Sequence, residues 1–304
     1  MNKRVKGTIQ LSLTALIWGV AFVAQSVGMD YVGPWTFNCV RYFIGGTVLI
    51  PVVCFIALME RKGAQTASEH DHSKIKNTVI GGCISGLFLA VASLFQQYGI
   101  IETSVGKAGF ITALYIIIVP FFSVLLHKKV ALNQWIAAGI AVVGFYIMSM
   151  HGIEGINRGD LLLLICAVLF SCQILVIDHF VEKVNTVAMS MVQFYVCGFI
   201  CLIGTMALER PTFAMITAAY IPILYAGVMS CGVAYTLQIV GQKNLEPAYA
   251  SLLMSLESVF SALAGFIILG QRLSAAELTG CALVFIAVLI AQGCVNIRKI
   301  RKEA

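Results

Sequence analysis

Stretches of about twenty apolar residues recur along the whole chain, approximately at 8–28, 35–59, 79–101, 106–126, 132–150, 159–178, 187–207, 217–239, 247–268 and 275–296. A run of that length matches the hydrocarbon thickness of a bilayer when coiled as a helix. In lipid it must be a helix, because each backbone polar group needs a partner within its own segment. Composition points the same way. Of 304 residues, 60% are hydrophobic and 11% charged, against about a quarter charged in an average soluble domain. Too few polar side chains remain to coat a globule. The expected fold class is all-α integral membrane with ten transmembrane helices. Connections are short except 60–78, which is polar and reads as a loop.

Charge sets the expected orientation. With the N-terminus in the cytoplasm, fifteen of the twenty lysines and arginines fall on the cytoplasmic side. Five (Arg41, Lys107, Arg158, Arg210 and Arg272) fall on the other. That bias fits the positive-inside rule and puts both termini in the cytoplasm. The first apolar run is too long for a signal peptide and no A-x-A site follows it, so it is expected to stay as a span. The basic stretch at 298–302 reads as a positive-inside anchor, not a nucleic-acid tail.

The ten cysteines lie mostly inside apolar runs with no C-x-x-C pair or metal-ligand spacing, and behave as small hydrophobes. Cys197 and Cys201, four apart on one helix face, are read as packing residues. The five histidines fall in loops or at span ends. No cofactor or metal is expected.

The chain repeats itself. T-F-N-C-V-R-Y-F-I-G-G (36–46) lies without gaps against A-M-S-M-V-Q-F-Y-V-C-G (188–198), and 128–139 resembles 269–280 in pattern. Residues 1–150 and 151–304 thus make two halves of five helices. Five is odd, so the second half enters the membrane upside down. Inverted repeats are the architecture of many secondary transporters, with the solute site between the repeats near mid-membrane.

These features resemble the drug/metabolite transporter superfamily, and its EamA-type members in particular. The likeness rests on A-L-I-W-G (15–19), F-N-C-V-R-Y (37–42), K-A-G-F-I-T-A-L-Y-I-I-I-V-P (107–120), A-Y-A-S-L-L-M-S-L-E-S-V-F (248–260) and I-L-G-Q-R-L (268–273). It covers nearly the whole chain. The chain departs from the family pattern where Gln271 stands for a usual Glu, where Glu257 precedes Ser258 instead of Pro, and at His127-Lys128-Lys129, which lacks the acid. The resemblance implies a carrier of small organic solutes in a bacterial-type inner membrane, often an exporter of amino acids or related metabolites. A multidrug exporter of lipophilic cations is the alternative it leaves open.

Polar residues inside the spans are the candidates for a solute site, since a charge at mid-membrane costs about 2.5–3.5 kcal/mol on insertion scales and usually faces the bundle interior or water. By the topology above, Gln25, Asn38, Arg41, Gln96, Gln97 and Lys107 all lie in the outer half. They can converge on one chamber, with Arg41 or Lys107 holding a carboxylate and the amides orienting it. The competing reading for both cations is a side chain reaching to the headgroups. Gln96 and Gln97 are about 100° apart on a helix, so one of them is expected to face inward. The repeat matches Arg41 with Gln193 and Gln97 with Gln238, which places the latter two as a pseudo-symmetric inner gate; the bland reading is interhelical hydrogen bonding.

Glu257 is the one acid placed near mid-membrane. Its possible roles are to carry a proton, to pair with a substrate amine, or to pair with Arg41 or Lys107. Trp18, Phe22, Tyr42, Phe110 and Tyr115 are candidates for an apolar wall or for simple packing, and Tyr115 is the best of them because a deep hydroxyl needs a partner. Pro51 and Pro120 fall inside spans and are expected to bend them. A cation and Glu257 in one cavity would suit a zwitterion. No H-E-x-x-H, G-x-S-x-G or Walker A sequence occurs, so neither an enzyme nor an ATP-driven pump is expected. Nothing suggests the ring of like groups that a channel needs. A monomer suffices for a carrier, and a homodimer is left open.

Overall fold

The computed structural model describes residues 2–63, 69–149 and 157–291. Its helices are α1 (Lys3–Gly28), α2 (Pro34–Gly63), α3 (Glu69–Ile101), α4 (Val105–Thr112), α5 (Tyr115–Leu125), α6 (Leu132–Ser149), α7 (Arg158–Phe180) and α8 (Thr186–Gly204). After them come α9 (Phe213–Ala218), α10 (Tyr220–Leu224), α11 (Thr236–Gln242), α12 (Pro247–Met254), α13 (Glu257–Leu269) and α14 (Ala275–Ala291). An eleven-residue π-helical segment, Tyr225–Tyr235, joins α10 to α11.

Among the described residues, eight helical units are long and apolar enough to cross a membrane: α1, α2, α3, α4 with α5, α7, α8, α10 through α11, and α12 with α13. The expected fifth and tenth spans, α6 and α14, are shorter apolar helices. At about 1.5 Å per residue, the 17 residues of α14 reach roughly 26 Å, short of the roughly 30 Å hydrocarbon core. Residues 292–296 of the tenth expected span and the basic stretch 298–302 lie outside the described residues. The expected loop at 60–78 is largely helical, since α2 runs to Gly63 and α3 starts at Glu69. Residues 64–68 lie outside the described residues.

The halves interleave. α1 packs on the α12–α13 unit of the other half, and α7 packs on the α4–α5 unit. α2 and α3 lie on α8, and the two short helices α6 and α14 pack against each other. Glycine lets some of these pairs approach closely. A Cβ on Gly19 would collide with Phe260 of α13, and one on Gly109 would collide with Ser261. Small residues are how helices gain contact in lipid, where no hydrophobic force draws them together.

The fourth span of each half is interrupted at the same place. Between α4 and α5, Leu114 N–H bonds Ile111 O (3.2 Å), and Ile117 N–H bonds Leu114 O (3.0 Å). Between α12 and α13, Leu256 N–H bonds Leu253 O (3.3 Å), and Ser258 N–H bonds Ser255 O (3.1 Å). These three-residue steps tighten one turn. In the second half serine chemistry supports the turn: Ser255 Oγ donates to Leu252 O (2.8 Å) and Ser258 Oγ to Ser255 O (2.7 Å). Such back-bonds compete with the helix ladder and bend it. The first residue past each turn is Tyr115 in one half and Glu257 in the other.

Candidate solute site

Both turns deliver their side chains to one cavity between the halves. α1 lines it with Trp18, Phe22 and Gln25, which recur at four and three residues and so share a face. α7 supplies Phe170, Gln173 and Ile174 from the other half. Arg41, Gln96, Thr112 and Tyr115 come from α2 to α5, and Gln238 and Glu257 from α11 and α13. Ser230 and Tyr235 come from the π-helical segment. Five residues apart, they stack where hydrogen bonds run from i to i+5.

Arg41 dominates the electrostatics. It is 1% exposed. Its Nη1 donates to Gln25 Oε1 (2.9 Å) and its Nη2 to Tyr42 OH (3.2 Å). The guanidinium also sits 4.8 Å from the Tyr42 ring centroid and 5.6 Å from that of Phe37. Tyr42 OH in turn bonds Ser93 Oγ. Among the described residues Arg41 has no ion-pair partner, and its Nε has no hydrogen-bond partner. A buried charge is normally paired, because removing it from water costs several kcal/mol.

Glu257 stands in the same cavity, 4% exposed. Its Oε1 accepts from Tyr115 OH at 2.8 Å, and no cation among the described residues pairs with it. Gln238 Nε2 donates to Gln173 Oε1 (3.1 Å), and Gln96 Nε2 reaches Thr112 Oγ1 at 3.5 Å. Trp18 and Tyr235 form a tilted pair with centroids 4.6 Å apart. Four polar atoms of the lining are buried without a partner: Trp18 Nε1, Arg41 Nε, Gln173 Nε2 and Gln238 Oε1. The lining thus holds three unbonded donors and one unbonded acceptor, with an apolar wall beside them.

Trp18, Gln25, Arg41, Gln96, Tyr115, Gln238 and Glu257, all singled out from the sequence, come together here. Gln238, matched with Gln97 by the repeat, lines the same cavity as Arg41. Lys107 lies elsewhere: its Nζ bonds Asp160 Oδ2 at 2.7 Å, and that pair ties α4 to α7. Gln97 is buried outside the cavity and donates to Met29 Sδ (3.2 Å), because it points about 100° away from Gln96. Asn38 and Gln193 are fully buried, do not line the cavity, and have side-chain amides without partners. Tyr42 and Phe110 belong to the packed core.

Sequence reasoning did not single out Thr112, Phe170, Gln173, Ser230 or Tyr235. Gln173 carries the signal that exposed Gln96, an amide inside an apolar run. Thr112 and Ser230 carry none, since small hydroxyls in membrane helices commonly bond their own backbone.

The family profile described as "EamA-like transporter family" matches the chain twice, over residues 5–150 and 157–292. The chain is 29% identical over 289 residues to an uncharacterized transporter of Archaeoglobus fulgidus, covering 95% of this chain and 86% of that one. It is 21% identical to the uncharacterized transporter YoaV of Bacillus subtilis, over 92% of this chain and 94% of that protein. It is 26% identical to the protein PecM of Dickeya dadantii, over 70% and 72% of the two chains. A crystal structure superposes with a TM-score of 0.71 at 18% identity, covering 94% of this chain and 96% of that chain. That likeness shows the fold.

Proposed function

As the chain belongs to the EamA-like transporter family and is a multi-pass membrane protein, we propose that it is a secondary carrier of small zwitterionic solutes, of which amino acids are the simplest. The observation that carries this reading is Arg41, buried without a counter-ion in the cavity that also holds Glu257. In the proposed complex the solute carboxylate docks on Arg41, where charge-assisted and bidentate bonds are strong. The solute amine docks on the Glu257 carboxylate, which Tyr115 orients through its hydroxyl. Gln173 and Gln238 offer one free donor and one free acceptor, and Trp18, Phe22, Phe170 and Tyr235 enclose the apolar part.

The proposed cycle is alternating access, with the two inverted halves rocking about the cavity. Ten spans, a cytoplasmic-membrane location and cytoplasmic termini complete the proposal, supported by the ten apolar runs and the fifteen-to-five split of basic residues. The direction proposed is export.

The test is thermal stabilisation of the purified protein in detergent by each of the twenty proteinogenic L-amino acids, because a ligand that binds only the folded state raises its melting temperature. At least one should stabilise the wild type, and Arg41→Gln and Glu257→Gln should each weaken that ligand's affinity at least tenfold. The Trp18–Tyr235 pair beside Glu257 favours a second reading, a lipophilic-cation carrier, since aromatic faces attract cations. Stabilisation by tetraphenylphosphonium that survives Arg41→Gln but not Glu257→Gln, with none by any amino acid, would replace the first reading with the second.

A further inference from the structure

A second cavity, of about 1000 Å³, opens at the end of the bundle where α5 and α7 finish and α12 begins. In the proposed orientation this is the cytoplasmic end. Its lining carries both signs of charge: Lys129 and Lys243 against Glu182 and Glu246, besides the Lys128–Asp178 ion pair. It also includes two buried polar side chains with unpartnered atoms. Ser123 is 1% exposed and its Oγ has no partner; Gln242 is 2% exposed and its Oε1 has none.

Gln242 also links this cavity to the first. It lies four residues after Gln238 on α11, hence on the same helix face. Gln238 Nε2 donates to Gln173 Oε1 in the central cavity, and Gln242 Nε2 donates to Ile174 O one residue along α7, both at 3.1 Å. Each glutamine keeps a free carbonyl oxygen. Two amides one helical turn apart therefore step from the central cavity to the second one, each held by α7 through its nitrogen and leaving its oxygen for another donor.

We infer that the second cavity is a separate solute subsite, a staging position for the same zwitterionic class, reached from the central cavity along the Gln238–Gln242 face. This rests on the zwitterion reading of the central site. The amine of a bound solute bonds Gln242 Oε1 and Ser123 Oγ at the floor, and its carboxylate faces Lys129 and Lys243. Glu182 and Glu246 disfavour a bare anion, and the lysines disfavour a bare cation. The site is wider and wetter than the central one, so its affinity is expected to be weaker.

The experiment is equilibrium dialysis of the purified protein in detergent, with whichever radiolabelled L-amino acid stabilises the wild type most. Two sites per chain are expected in the wild type, the weaker at least tenfold weaker. Arg41→Gln should weaken the tight site at least tenfold and leave the affinity of the weaker one unchanged. Ser123→Ala, which removes an atom that bonds nothing in the structure, and Gln242→Leu should each leave the tight site and weaken the second at least fivefold. One site in the wild type, complete loss of binding in Arg41→Gln, or a second site indifferent to both floor substitutions overturns the subsite while the central reading stands. If no amino acid binds the wild type, the central reading falls and this one falls with it.

Discussion

At the end of the bundle that carries Glu209 and Lys107, the two halves are joined by carboxylates set on helix starts; at the end that carries Lys128, they face each other across a cleft. Glu209, just past α8, accepts from Trp35 N (2.9 Å), Thr36 N (2.7 Å) and Thr36 Oγ1 (2.7 Å), and so caps α2 of the other half. Asp160 closes a capping box with Asn157 at the start of α7 and also holds Lys107 of α4. Asn157 Nδ2 reaches Glu102 O at 3.0 Å. At the opposite end the inter-half links among the described residues include the Lys128–Asp178 ion pair, bonds from Asn185 N to Thr78 Oγ1 (3.0 Å) and from Asn133 Nδ2 to Ala291 O (3.2 Å), a contact of Thr8 Oγ1 with Tyr249 OH (3.4 Å) and the Arg4 guanidinium over the Tyr249 ring, beside the second cavity. A helix N-terminus offers several unpaired N–H groups and positive potential. A carboxylate placed there is worth more than an exposed ion pair. In the proposed alternating-access cycle, the Glu209 and Asp160 contacts are the ones that part when the central cavity faces that side.

The largest effect that tests this difference is expected for Glu209→Ala. Loss of three bonds to a charged acceptor should destabilise the protein by about 2–3 kcal/mol, measured by denaturant unfolding in detergent. Asp160→Ala should follow at about 1–2 kcal/mol, since it removes the return bond of the capping box to Asn157 N as well as an ion pair. Lys107→Gln, which leaves the cap intact, should lose clearly less in the same assay. Next comes a stabilising change. His127 ends α5 with φ 57°, whereas its counterpart at the end of α13 is Gly270 with φ 65°. A side chain in this left-handed region costs roughly 1 kcal/mol, so His127→Gly should raise stability by about that amount. The smallest effect belongs to Lys128→Gln. Its side chain is 40% exposed, and pairs of that kind contribute about 0–1 kcal/mol. If Lys128→Gln destabilises as much as Glu209→Ala, the two ends are held alike and the contrast is wrong.

The course of the helices was legible because apolar length is a strong signal, and it failed where something other than hydropathy decides. The polar run at 60–78 reads as loop by hydropathy, yet α2 continues to Gly63 and α3 starts at Glu69, since hydropathy marks where a helix leaves lipid and not where it ends. Arg41, Gln25, Gln96, Tyr115 and Glu257 were legible because each is polar inside an apolar run. Which neighbour faces inward was not: Gln96 and Gln97 look equivalent until packing fixes the rotation of α3. The Lys107–Asp160 pair was hidden because its members lie on helices from different halves. Ser230 and Tyr235 were hidden for a different reason. A reading at 3.6 residues per turn sets residues five apart on different faces, and the π-helical segment brings them together. The interruption between α12 and α13 contains no Gly or Pro to announce it.

Tyr115 and Glu257 hold the same position in the two halves, each the first residue past the interruption of its fourth span, and they bond each other at 2.8 Å. In an assembly of two identical chains, a side chain on the symmetry axis can meet only its own copy, because such an interface is self-complementary. Two glutamates there would repel and two tyrosines would leave no acid. Joining both halves in one polypeptide removes that restriction. A donor and an acceptor can then be installed on opposite sides of the axis by changing one half alone, and the molecule's own duplication becomes a source of chemical difference at the point where its copies touch.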